Sequence, residues 1–427
     1  MNGNILLKNC KISNGCGTYY GIKDILIKDG IITEIRGGIA AGADFEIYNA
    51  ESRFAVPSFI DMHCHLRDPG FEYKEDIESG TLAAFYGGYS SVVCMPNTNP
   101  VADNPATLDY IIRKAKNKGH CKVFPTASIT IGQKGRELCD FFTLAECGAV
   151  GFTDDGKPVT DAGVMRRAMQ LCAEHDLLII THPEEPAMSE SGVMNESAAA
   201  DHLGVKGIPC LAEDLAIARD ILIAEDTGCR LHVAHISTKT GARLVREAKM
   251  RGVKITCETC PHYFSFTDED VILYGGNAKM NPPLRSQADV QAIIEALKDG
   301  TIDCISTDHA PHSEAEKNCG LKSALNGITG LQTAFAAGVT NLVMKNHIGI
   351  NKLIDLMSVN PAKILGIGSE IEPGNKADIN IIDPYKNFIF TKDMIKSKSF
   401  NTPFIGQSLY GVIEYRCRSL IGKFDKS

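Results

Sequence analysis

The stretch PSFIDMHCHLRDPG, residues 57–70, decides how the rest of the chain is read. Asp61, His63 and His65 recur at every second position of an apolar run, which is the period of a β-strand, so the three side chains share one face. Two imidazoles placed i, i+2 on one strand form a chelate for a borderline cation such as zinc. Arg67 and Pro69-Gly70 follow directly. If the strand is a stave of a barrel, His63 and His65 enter the lumen at its C-terminal end, where barrel enzymes keep their chemistry.

Outward from that strand the same rhythm continues from Val56 to about Ile367. Strands are expected at Phe59–His65, Ser91–Met95, Lys122–Ser128, Ala149–Thr153, Leu177–His182, Leu231–Ile236, Lys254–Glu258 and Asp303–Asp308. Helical stretches fall between them, at Asp76–Tyr86, Ala106–Lys116, Gly163–Glu174, Ala212–Glu225, Gly241–Met250, Gln287–Leu297 and Gly330–Met344. Eight strands alternating with helices predict an α/β chain of the (β/α)8 TIM-barrel class. A doubly wound open sheet is the rival, but no Gly-rich dinucleotide loop follows the first strand.

The two ends read differently. ILLKNC and then DILIKDGIITEI are β-rich runs, and Asp29-Gly30 within the second signals a hairpin. Near the other end ADINIID, NFIF and YGVIEYRCRSLIGKF look like strands again. A small β-sandwich built from both termini is the simplest account. The expected division is 1–55 and 368–427 for that unit and 56–367 for the barrel.

The 427 residues carry a net charge of -8 without a long acidic or basic run, so no basic stripe for nucleic acid is present. Anionic ligands must then be held by local Arg, His or amide groups. Fifteen scattered Cys in a chain of this length predict reduced, mostly buried thiols. No signal-peptide pattern or apolar run of membrane-spanning length occurs. A cytoplasmic protein is expected.

Other expected strands end in ligand-type residues at the same rim: GFTDDG with Asp154 and Asp155, THPEE with His182, LHVAHIS with His232 and His235, and DCISTDHAPH with Asp308, His309 and His312. An Asp before Gly is commonly only a turn residue, but chance would scatter five such occurrences between both rims. His232 and His235 are three apart and cannot both face a lumen by alternation. His235 lies nearer the strand end and is the expected ligand, with His232 turned outward in a structural role. Spacing does not choose between Asp154 and Asp155. Cys257 and Cys260 in CETC have no second pair, which favours a structural role over a zinc or redox one.

DMHCHLRDPG, MPNTNP, FTDDGKPV, HVAHIS, CPHYF, KMNPPLR, TDHAPH and NPAKILGI, in this order over nearly the whole chain, resemble the long-chain bacterial (type I) dihydroorotases of the amidohydrolase superfamily. The resemblance implies zinc-dependent interconversion of N-carbamoyl-L-aspartate and dihydroorotate in pyrimidine biosynthesis, with two zinc ions per subunit. It implies that His63, His65 and Asp308 hold one ion, His182 and His235 the other, and that Asp155 bridges them. Many relatives use a carboxylated lysine as the bridge. Here FTDDG stands in its place, and Lys157 beside Pro158 reads as a loop residue. Asp308 is also the implied general base. His65, Arg67, Asn97, Asn281, His312, Asn326 and Gly327 are the implied substrate contacts, with Arg67 suited to a carboxylate. THPEE departs from the usual His-Cys-Glu-Asp, and Leu325-Asn326-Gly327 from the usual Pro-Phe-Gly. The family also makes a homo-oligomer and an aspartate transcarbamoylase partner possible. The alternatives are another cyclic amidase, such as an allantoinase or hydantoinase, or an inactive scaffold that would be expected to lose its ligands.

Overall fold

Eight short parallel segments organise the middle of the computed structural model. It describes residues 4–17, 19–40, 42–368, 370–417 and 425–426. Phe59–Cys64, Tyr89–Cys94 and Lys122–Pro125 form one parallel sheet. Leu178–Thr181, Arg230–Val233, Ile255–Thr259 and Cys304–Ile305 form another. Isolated parallel bridges Ala127–Phe152 and Phe152–Ile179 link these sheets on one side, and His309–Cys64 links them on the other. The expected strand Ala149–Thr153 is therefore reduced to a bridge. Its Phe152 and Thr153 N–H groups still donate to Leu178 O and Ala127 O at 2.9 Å, but the run ends too soon for a ladder.

The helices sit close to their expected places because their caps are written locally. Ile77–Tyr86 starts at Asp76, which forms a capping box with Ser79. Pro105–Lys118 starts at Asn104, with proline in the first turn. Ala162–Glu174, Lys239–Met250 and Gln287–Asp299 are capped by Asp161, Thr238 and Ser286. The expected helix Gly330–Met344 is shorter: Ala334–Gly338 is α-helical and widens into a π-turn over Val339–Val343. There the Thr340 hydroxyl accepts the Tyr410 N–H at 2.8 Å, tying the turn to the C-terminal strand.

The two ends of the chain meet in one eight-stranded mixed sheet. Tyr19–Lys28 and Ile31–Arg36 form the hairpin expected at Asp29-Gly30, and both turn residues have positive φ (50° and 75°), as a two-residue hairpin turn requires. ADINIID and NFIF merge into the single strand Ile379–Ile389, which pairs with Phe54–Pro57 and with Ser408–Cys417. Residues 418–424 of the last expected strand lie outside the described residues. Where two packed sheets were expected, the hydrogen bonds define one sheet whose arms face each other. Tyr48 stacks on Tyr415 with centroids 4.3 Å apart, and Ile5, Ile25, Ile379 and Ile381 share one buried cluster. Phe54–Pro57 runs directly into Phe59–Cys64, so this sheet anchors the strand that bears His63. Among the described residues no helix is long and apolar enough to cross a membrane.

Candidate metal centre and substrate cleft

The strand ends converge on one buried cluster. Asp155 lies within ion-pair range of four imidazoles: its Oδ1 is 3.3 Å from His63 Nε2, 3.4 Å from His182 Nδ1 and 3.7 Å from His235 Nε2, and its Oδ2 is 3.5 Å from His65 Nε2. Asp308 Oδ1 stands 3.1 Å from His65 Nε2 and 3.7 Å from His63 Nε2. His182 Nδ1 and His235 Nε2 are 2.9 Å apart. All six side chains are buried.

The far nitrogen of three of these rings already meets an oxygen. His63 Nδ1 is 2.9 Å from Glu258 Oε1, His65 Nδ1 is 2.9 Å from Asn97 Oδ1, and His182 Nε2 is 3.2 Å from Glu184 Oε2. When neutral, each ring would donate outward and turn a lone pair toward the cluster, the tautomer a metal ligand needs. His63 Nε2 is buried without a hydrogen-bond partner. Its 3.3 Å approach to Asp155 matches the edge of a tetrahedron with bonds of about 2.0–2.1 Å to a central zinc. The donor set therefore fits a bound cation. Three groupings of described residues bring ligand atoms close enough to hold a cation: His63, His65 and Asp308; His63, Asp155 and His235; and His232, Glu258 and Cys304, the first two sharing His63.

The carboxylates of the cluster favour the charged form of the rings they touch, so a cation entering the site would displace protons from them. Burial alone would raise the Asp155 carboxyl, but the charge of His63 and hydrogen bonds from His182, His235 and His63 hold it well below the usual carboxylate range. Asp308 is likewise penalised by burial, yet its bond to His65 and the nearby imidazoles bring it to about 2. Burial opposes charge on His182, and Asp155 and Glu184 outweigh it, raising the ring to about 10. The site also concentrates backbone strain: Arg67, His235 and Asp308 have φ of 59°, 36° and 44°, a region non-glycine residues rarely adopt.

Two choices left open by spacing, or made from it, are decided here. Asp154 turns away and accepts the N–H groups of Ile129 and Thr130 at 2.8 and 3.1 Å, so Asp155 is the residue in the cluster. His235 is in the cluster as expected, but His232 is not turned outward. It is fully buried, 3.2 Å from Glu258 Oε2, and thus joined through that carboxylate to His63. The error came from alternation: the strand ends at Val233, and the positive φ of His235 breaks the pattern that was to keep the two apart. Glu258 and Glu184 were missed. A carboxylate inside the buried run ITCET is the signal that marks Glu258. Among the described residues all cysteines are free.

Above the cluster opens a cleft of about 440 Å³, lined by His65, Arg67, Asn97, Asp155, Asn281, His312, Asn326 and Gly327 among others. Every expected substrate contact is therefore present in one cavity. Asn281 donates to Glu184 Oε2 at 2.9 Å. Arg67 meets Pro311 O and His312 Nε2, both at 3.3 Å, and among the described residues it forms no ion pair with a carboxylate. Burial, then the charges of Arg67, Lys74 and Lys317, pull His312 down to about 3, so it is a neutral ring at pH 7. Lys157 is exposed at the cleft mouth, in the turn after Asp155.

A family model described as dihydro-orotase-like matches residues 52–241. A dihydroorotase of Acetivibrio thermocellus is 49% identical over 401 residues, covering 92% of this chain and 93% of that protein. The chain belongs to the dihydroorotase family. A second member, from Trichlorobacter lovleyi, is 48% identical with 96% of each chain covered. Among solved structures, an L-hydantoinase from Arthrobacter aurescens superposes on this dihydroorotase-family chain with a TM-score of 0.88 at 25% identity, covering 97% of this chain and 94% of the other. The D-hydantoinase fold matches with a TM-score of 0.87 at 22% identity. Family membership thus rests on sequence, and the shared fold extends to the hydantoinases.

Proposed function

We propose that the protein is a dihydroorotase working with two zinc ions, interconverting dihydroorotate and N-carbamoyl-L-aspartate. The observation that carries this reading is one cleft in which Asp155 reaches four imidazoles while Arg67 stands beside them with no carboxylate partner among the described residues. His63, His65 and Asp308 would hold one zinc ion, His182 and His235 the other, and Asp155 would bridge. Bound there, the ions would bring the pKa of water from about 15.7 towards 7 and polarise a carbonyl.

The chain's own groups supply the rest. Asp308, ionised at neutral pH, takes a proton from the attacking water and returns it to the departing ring nitrogen, so the C–O bond forms as the C–N bond breaks. The reverse path uses the same proton in cyclisation. Arg67, Asn97 and His312 hold the ring carboxylate, with Asn281 and the backbone at Asn326-Gly327 on the ring edge. Hydantoins and dihydropyrimidines lack that carboxylate, and Arg67 would then lie buried without a partner.

The scaffold proposed for this chemistry is a closed (β/α)8 barrel over 56–367, with residues 1–55 and 368–427 as the composite β unit. The bridges Ala127–Phe152–Ile179 and Cys64–His309 support closure, since they join both margins of the two parallel sheets.

A substrate panel tests the activity. Cyclisation of N-carbamoyl-aspartate is expected, with allantoin and hydantoin untouched; the opposite pattern would sink this reading. Metal removal gives a second expectation. Chelation should abolish turnover and lower the melting temperature, because ligand bound only to the folded state adds about 2.7 kcal/mol when it is present at a hundred times its Kd. A chelated sample with full activity would exclude the metal reading. Glu258→Gln should weaken zinc about 10–100-fold, the usual cost of losing an outer carboxylate on a ligand histidine. Competition with a chromogenic chelator measures this, and unchanged affinity would show that Glu258 does not set the His63 tautomer.

A further inference from the structure

We propose that Lys317 and Asn401 are positioning residues for the substrate carboxylate, locking the wall of the cleft that carries His312, Asn326 and Gly327. The inference rests on the dihydroorotase reading and adds residues that touch no substrate. Lys317 ends the short helix Glu314–Lys317 and is buried. Its Nζ donates to Lys279 O at 3.1 Å and to Leu325 O and Gly327 O at 2.8 Å. Burial pulls this amine down to about 7, and in its protonated form its three donors match the three backbone carbonyls. Among the described residues no carboxylate pairs with it. One side chain thus binds both ends of the 325–327 turn to the segment that leads into Asn281.

Asn401 closes the other side. It comes from the C-terminal segment, more than seventy residues away in sequence. Its Nδ2 donates to Ala310 O at 3.2 Å and Gly327 O at 3.0 Å, and its Oδ1 accepts the His312 N–H at 3.1 Å. Thr329 N–H donates to Asn401 O at 2.8 Å. Gly327 has little freedom inside this clamp: its φ is 126°, and a Cβ there would lie 2.5 Å from Ala310 Cβ. The clamp fixes Asn326 O, which stands 2.8 Å from His312 Nε2. That imidazole in turn meets the Arg67 guanidinium. The turn Leu325-Asn326-Gly327 carries no proline to stiffen it. Tethering from Lys317 and Asn401 then determines where the turn sits.

Lys317→Met should raise KM for N-carbamoyl-aspartate about tenfold or more while kcat stays within about threefold, since binding geometry is lost away from the reacting atoms. Zinc content should equal that of the wild type. Lys317→Gln, with two donors, should fall between. Asn401→Asp keeps the acceptor for His312 and sets an oxygen against two carbonyls; it should move KM the same way. The last two variants stand in if Lys317→Met does not fold by circular dichroism. Folded, zinc-loaded variants with KM within about twofold of wild type, or with a lowered kcat at unchanged KM, would overturn the proposal. Wild-type protein that turns over no carbamoyl-aspartate would instead remove the activity on which it rests.

Discussion

Asp155→Ala is expected to release at least one metal ion per chain and to lower kcat/KM by at least about 10²–10³-fold, the scale of losing one preorganised charge contact at a reacting centre. Among the described residues Asp155 is the carboxylate that contacts all four histidines, whereas Asp308 contacts two. Without it, His63 and His65 keep Asp308 and His182 keeps Glu184, but among the described residues His235 loses its carboxylate contact, and the two cations proposed here would lose their shared anion. Asp154→Ala is the matched control. That carboxyl accepts two backbone N–H groups and burial raises it to about 6, so its loss should cost about 1–3 kcal/mol of stability and leave the metals in place. Elemental analysis of both variants decides the matter. Two metals and full activity in Asp155→Ala would refute the bridge.

Arg67→Met should weaken binding of the carboxylate substrate by about 2–5 kcal/mol, the cost of truncating one partner of a desolvated charge pair. The loss should appear mainly in KM, with zinc content unchanged. Arg67→Lys should recover little, because a point charge does not reproduce the planar fork and its bond to Pro311 O. Saturation kinetics with carbamoyl-aspartate would measure both. A variant with wild-type KM would move the carboxylate site elsewhere in the cleft, toward Lys157 or Asn326.

What the sequence determined by itself was the period. His63 and His65 two apart, a carboxylate or imidazole closing several apolar runs, the caps Asp76 and Asn104, and the Asp29-Gly30 turn are all local, and each is where its spacing or turn chemistry puts it. Those signals work because backbone geometry ties residues i and i+2, or i and i+3, to fixed directions. Tertiary structure decided everything beyond the last rung of a ladder. Asp154 and Asp155 separate only because Ile129 and Thr130 offer N–H groups to one and four imidazoles surround the other. His232 faces inward because its strand stops at Val233 and His235 turns on a positive φ, so alternation no longer relates them. Glu258 and Asn401 find their partners across 195 and 89 residues respectively, and no sequence period links such pairs. Their pairing is set by where strands lie side by side, and that is where the pair of aspartates at 154 and 155 was resolved into one support and one candidate bridge.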